Sequence, residues 1–120
     1  YVLAFEELEA LRALPYVKKG GTMIVSTQHI LPMPVVSGAA EYPKDILETL
    51  RQSADVIALD ALALATSAGT SRAVNTVLLG TLAARLPFAK EVWLEALTGC
   101  VPQKFLDVNL AAFEAGFRFS

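Results

Sequence analysis

The stretch 71–86, SRAVNTVLLGTLAARL, constrains this chain more than any other. At 3.6 residues per turn, Val74, Val77, Leu78, Thr81, Leu82 and Arg85 fall on one stripe, and Ala73, Leu79, Ala83, Ala84 and Leu86 leave little of the remainder polar. A helix that is apolar on most sides has no flank to offer water, so it is expected to be the most buried helix of the fold. Ser71 stands where an N-cap hydroxyl belongs, and Pro87 stands where the helix must stop. Gly80 lowers helix stability by about 1 kcal/mol relative to Ala, and its use mid-helix is the close approach of another backbone. Asn75 is the amide side chain in the first apolar turns. It is either a buried group satisfied by neighbouring backbone or a group that shapes a site beside a strand end.

The flanking segments supply what such a helix packs against. The run YVLAF at 1–5 reads as a buried strand, followed by a short helix through EELEALRALPYV that Pro15 ends. Lys18, Lys19, Gly20 and Gly21 form a turn, and TMIVST at 22–27 is the second strand of a βαβ unit. The segment 28–38 carries two prolines two apart, which excludes a central strand and predicts an edge strand or extended arm. Tyr42 and Pro43 announce a helix through KDILETLRQS with Pro in its first turn, and Val56 to Leu59 is the third strand. Asp60 caps ALALATSAG, which Gly69 terminates. KEVWLEALTG turns Val92, Trp93, Ala96 and Leu97 inward and stops at Gly99. Pro102 then opens PQKFLDVNLAAFEAG, with Phe105, Leu106, Asn109, Leu110 and Phe113 on one face and Gly116 as C-cap. The sum is an α/β fold, a three-layer α/β/α arrangement with a mainly parallel sheet that is incomplete at its N-terminal side and a helical C-terminal third.

Composition narrows the partners. Of 120 residues, 54% are hydrophobic and 18% charged, a greasier balance than a free-standing domain needs, which points to surface buried against another chain. The net charge of −2 comes without a basic cluster, so no nucleic-acid partner is expected. The uncharged stretch 20–40 is broken by Pro32, Pro34, Gln28 and His29, and no membrane segment or signal peptide is read from it. The lone cysteine, Cys100, excludes an internal disulfide and suits a reducing cytoplasm, where it is expected to be a small packed residue. The first residue is Tyr rather than Met, and the expectation is a piece of a longer domain whose uncovered strand edge drives self-association.

No catalytic constellation is visible. There is no Walker loop, no GxGxxG, no HExxH, no paired-cysteine spacing and no GxSxG elbow. His29 reads as a structural histidine, and Glu7, Glu9, Glu41, Glu48, Glu91 and Glu95 as solvated faces. What remains is a set of polar groups beyond the carboxyl ends of parallel strands, where ligands gather in such sheets: Glu6, Thr27, Gln28 and Asp60.

Five stretches in register carry a family resemblance: VLAFEELEALRALPYVKKGGTMIVSTQ, ILPMPV with EYPKDI, DALALA, SRAVNTVLLGTLAARLP and VPQKFLDVNLAAFEAGF. Together they cover nearly the whole chain, which resembles the gamma-type domain of the 2-oxoacid:acceptor (pyruvate, ketoisovalerate and indolepyruvate ferredoxin) oxidoreductases, the indolepyruvate type above all. The resemblance covers the C-terminal part of that domain; the family's opening strand and GxGGQG-type loop are absent. Where family members often show Asn after the second strand, this chain has Ser26.

The resemblance implies a subunit that binds no thiamine diphosphate itself and joins a larger subunit carrying thiamine diphosphate and iron–sulfur clusters. The complex would decarboxylate an aryl 2-oxoacid such as indolepyruvate, pass the acyl group to coenzyme A and the electrons to ferredoxin. Glu6, Asn75 and Asn109 are the polar members of the matching stretches. With Gln28 and Asp60 they make the set of substrate- or coenzyme-facing candidates. No catalytic or metal-ligating residue and no cofactor is assigned to this chain, which is expected to be inactive alone. Two rival readings stand beside this one: a module that binds coenzyme A or another nucleotide by itself, and a scaffold without a ligand.

Overall fold

The computed structural model describes residues 1–28 and 33–119. The backbone divides into a unit of residues 1–58 and a unit from Leu59 onward.

The first unit is a βαβ layer. Strand β1 (Val2–Ala4) leads into helix α1 (Glu7–Ala13), a 3-10 turn (Leu14–Tyr16) and strand β2 (Thr22–Ser26). Strands β1 and β2 pair in parallel, with Val2, Leu3 and Ala4 opposite Met23, Ile24 and Val25. Strand β3 (Asp55–Leu59) takes the other side of β2, so the sheet order is β1-β2-β3. The central strand explains its own sequence: Met23, Ile24 and Val25 are all fully buried, so an unbroken apolar run suits it better than alternation. Burying side chains of this size contributes about 1.5–3 kcal/mol each. Helix α3 (Ile46–Arg51) adds Ile46 and Leu50 to a core made with Ala4, Ala10, Met23 and Val25.

Three expectations for this unit are corrected. Residues 33–36 form a one-turn helix, α2 (Met33–Val36), rather than an extended arm. A proline near the start of a helical turn loses no hydrogen bond, and Gly38 at φ 80° closes the segment. Pro43 lies ahead of α3 rather than in its first turn, because Asp45 takes a left-handed conformation at φ 55° immediately before the helix. Glu7 is buried instead of solvated.

The second unit is helical: α4 (Ala61–Ala68), α5 (Val74–Ala83), α6 (Lys90–Cys100) and α7 (Leu106–Arg118). The expected close approach at Gly80 is real, and it is reciprocal. A Cβ on Gly80 would collide with the carbonyl of Phe113, and one on Gly116 would collide with the carbonyl of Val77. Helices α5 and α7 therefore touch backbone to backbone at two glycines one turn apart from each other's contacts. Thr81 locks the crossing, its hydroxyl lying 3.1 Å from both the Val77 and Gly116 carbonyl oxygens. Helix α5 buries six residues, Thr76, Val77, Leu78, Gly80, Thr81 and Ala83, as its apolar circumference predicts.

The terminal details differ from expectation. Thr70, not Ser71, provides the capping oxygen, and residues 71–73 form a 3-10 turn before α5 begins. Helix α5 ends at Ala83, a turn short of Pro87. Gly116 sits inside α7 rather than at its end, because the α5 contact needs a residue without Cβ there. On α6 the inward residues are Trp93, Leu94 and Leu97, which pack with Phe113, Leu110 and Phe117, while Val92 and Ala96 are exposed. The helix runs through Gly99 to Cys100, whose side chain is exposed rather than packed. Lys90 pairs with Glu114 of α7 and lies 4.8 Å from the centre of the Phe117 ring, joining α6 to α7.

Candidate functional site

The second unit holds a cleft at the entrances of α5 and α7. Gly69 ends α4 at φ 134°, a conformation L side chains rarely adopt, and Thr70 then accepts the amide of Arg72 at 3.2 Å to start the turn into α5. Pro102 and a second 3-10 turn (Gln103–Phe105) start α7 in the same manner. The tight α5–α7 crossing brings these two entrances side by side, and they enclose about 530 Å3 lined by both turns, by Cys100 and Val101, and by Asn75, Val108 and Asn109.

A chain of hydrogen bonds fixes the amides on this wall. The Thr76 hydroxyl donates to Asn109 Oδ1 at 2.7 Å, and Asn109 Nδ2 donates to the Phe105 carbonyl at 2.9 Å. Asn75 Oδ1 accepts the Thr76 amide at 2.9 Å. Asn75 is exposed, so the reading of it as a buried amide is corrected; its Nδ2 has no partner among the described residues. Thr76, not singled out from sequence, is the buried link between the two asparagines. The helical period could have found it, since Thr76 lies on the α7-facing side of α5.

The other candidates fall elsewhere. In the first unit Glu6 is 4% exposed and caps α1, accepting the amides of Leu8 (3.1 Å) and Glu9. The Tyr42 hydroxyl donates to the same carboxylate at 3.2 Å. Burial, and then the charge of Glu6, push the Tyr42 phenol up to about 12. Gln28 is brought beside this group through its backbone, where its carbonyl accepts the Glu7 amide at 3.2 Å. Ser26, at the end of β2, is fully buried, and its hydroxyl finds no partner among the described residues. Asp60 is an exposed N-cap that accepts the Ala63 amide at 3.0 Å. The structure thus pairs Glu6 with Gln28 in one unit and Asn75 with Asn109 in the other. His29 lies outside the described residues.

A family model described as pyruvate ferredoxin/flavodoxin oxidoreductase matches residues 1–119. The chain belongs to this family. Curated relatives agree. Indolepyruvate oxidoreductase subunit IorB of Thermococcus kodakarensis is 36% identical over 125 residues, covering 98% of this chain and 61% of the relative. The IorB proteins of Pyrococcus horikoshii, also 36% identical over 125 residues, and of Methanothermobacter thermautotrophicus, 36% over 121, match over the same proportions within a percentage point. The chain therefore spans about three-fifths of the length of these relatives. The gamma subunit of a keto/oxoacid ferredoxin oxidoreductase from Geobacter sulfurreducens has the same fold, with a TM-score of 0.68 at 23% identity over 96% of this chain and 60% of that one. The α/β reading of the sequence is thereby borne out.

The residues of this chain do not fit an iron–sulfur cluster. A cluster needs several thiolates, and the sequence has one cysteine. Among the described residues no group of three or more His, Cys, Asp or Glu side chains stands close enough to hold a metal ion. No helix among the described residues is long and apolar enough to cross a membrane.

Proposed function

We propose that this chain is part of the gamma-type domain of an indolepyruvate-type 2-oxoacid ferredoxin oxidoreductase, and that it works as the subunit without thiamine diphosphate. The observation that carries this reading is the 36% identity to IorB along 98% of the chain. The larger partner would hold thiamine diphosphate and the clusters, coenzyme A would take the acyl group, and ferredoxin would take the electrons. That division of labour agrees with a donor set that cannot ligate a cluster. The chain alone would be inactive, self-associated through its exposed apolar residues, and housed in a reducing cytoplasm. Asn75 and Asn109 are its substrate- or coenzyme-facing residues, because they share one wall of a cleft. Glu6 and Asp60 act structurally, because each spends its carboxylate on the first turn of a helix.

The test is co-expression of the full-length protein with a thiamine-diphosphate subunit, followed by indolepyruvate-dependent ferredoxin reduction. The expected result is activity that requires both proteins. Equal activity without this chain overturns the reading. Tight nucleotide binding together with activity that ignores this chain would favour the rival module.

A further inference from the structure

Two threonines of α5 reach across to α7, and they use their hydroxyls differently. Thr81 lies 3.1 Å from the carbonyl oxygens of Val77 and Gly116, so its hydroxyl serves backbone. Thr76, earlier on the same helix, is 4% exposed and does not line the cleft, yet its hydroxyl donates to Asn109 Oδ1, which stands on the cleft wall. The direction of each bond in this set is determined. Phe105 offers a carbonyl, which only a donor can meet, so Asn109 must turn Nδ2 toward it at 2.9 Å and Oδ1 toward Thr76. A hydroxyl has a single proton to give. At 2.7 Å from Asn109 Oδ1 and 3.5 Å from Asn75 Oδ1, that proton belongs to Asn109. Asn75 Oδ1 is held instead by the Thr76 amide at 2.9 Å, which leaves Nδ2 as the end of Asn75 that can face the cleft. A buried residue therefore orients both cleft-lining amides, Asn109 through its side chain and Asn75 through its backbone.

We propose that Thr76 is a positioning residue, whose hydroxyl locks the Asn109 side chain in the orientation that a bound molecule meets. This role rests on the reading of the Asn75–Asn109 wall as substrate- or coenzyme-facing. Without the hydroxyl, Asn109 Oδ1 loses its donor, and the side chain, held by the Phe105 bond alone, is free to turn toward solvent. A preorganised amide becomes one that must be ordered on binding, a loss felt in affinity rather than in the chemical step.

The full-length protein, assembled with a thiamine-diphosphate subunit, is assayed at varied indole-3-pyruvate and at varied coenzyme A. Thr76→Val should raise KM for one of the two by about fivefold, the size of one net hydrogen bond, with kcat and the other KM unchanged. Thr76→Ser, which keeps the hydroxyl, should return KM to near the native value. Thr81→Val removes a hydroxyl from the same helix crossing and should lower the unfolding midpoint without moving either KM. If Thr76→Val does not assemble, Thr76→Ser and Thr76→Ala, which differ by the hydroxyl alone, make the same comparison. The lock is also read without a partner: solvent exchange of the Asn109 side-chain amide protons should quicken in Thr76→Val and not in Thr81→Val. The role of Thr76 is overturned if that exchange is unchanged, if Thr76→Val leaves both KM values native, or if Thr81→Val raises KM as much. Asn109→Ala separates the two readings. A raised KM in Asn109→Ala with native values in Thr76→Val removes the role of Thr76 alone, whereas native values in both remove the ligand-facing wall as well.

Discussion

Glu6 shows how one side chain serves several neighbours. Its carboxylate satisfies two orphan amides at the start of α1 and accepts the Tyr42 hydroxyl from 36 residues away in sequence. Tyr42 can donate only while protonated, and its phenol is raised from 10.0 to about 12 by burial and then by the Glu6 charge. A group whose folded pKa exceeds its unfolded value stabilises the fold fully below the unfolded value and loses that contribution as pH rises. The window here is therefore pH 10 to about 12. Denaturant midpoints measured across that window should fall more steeply for the native sequence than for Tyr42→Phe, which has no proton to lose. Parallel curves would show that Tyr42 ionises as freely in the folded chain as in the unfolded one. The sequence announced Glu6 through its place after a strand, but not Tyr42. A contact between residues 6 and 42 leaves no periodic trace in either segment. Glu7 was misread for a related reason: its neighbours Glu6 and Glu9 make the turn look solvated, while its own side chain is buried.

At the scale of elements, the pairing of α5 with α7 rests on glycines with opposite meanings to a third. In an open helix, replacing Gly by Ala stabilises by about 1 kcal/mol because the unfolded chain has less freedom to lose. Gly99 in α6 has open space around the position of a Cβ, so Gly99→Ala should gain about 0.5–1 kcal/mol. Gly116→Ala meets the Val77 carbonyl and forces α5 and α7 apart, so the same chemical change should lose about 2–3 kcal/mol or more. Thermal or urea unfolding of the two variants reads the sign directly, and equal shifts would mean that α5 and α7 do not touch at backbone distance. Gly80 was legible as a contact residue because it interrupts an otherwise helix-favouring apolar run. Gly116 was not, since a glycine near the end of a helical pattern reads as a cap until its partner helix is known. The same limit shifted the inward face of α6. Trp93, Leu94 and Leu97 face α7 on a stripe that Val92 and Ala96 blur in the sequence.

At the scale of the whole molecule, the excess of apolar residues has a visible destination. Tyr16 (86%), Met33 (75%), Val36 (64%), Phe88 (59%) and Val92 (56%) all stand in solvent. Single exposed apolar groups are ordinary, but Phe88 and Val92 stand at the start of one helix beside Trp93, where Phe88 meets the indole edge-on at 6.3 Å between ring centres. Composition had already called for a covered face. It could not say which residues form it, because Val92 satisfies an inward helical stripe as well as an outward one. Replacing both residues with Ser should lower stability by only about 1 kcal/mol, chiefly the lost Phe88–Trp93 edge contact, and leave the fold intact, since both side chains are more than half exposed. It should at the same time reduce self-association of the 120-residue chain in sedimentation and weaken capture of the full-length protein by the thiamine-diphosphate subunit. Loss of both associations with an intact fold is the expected outcome. A double variant that still self-associates and still assembles with native affinity would assign the apolar excess to other residues.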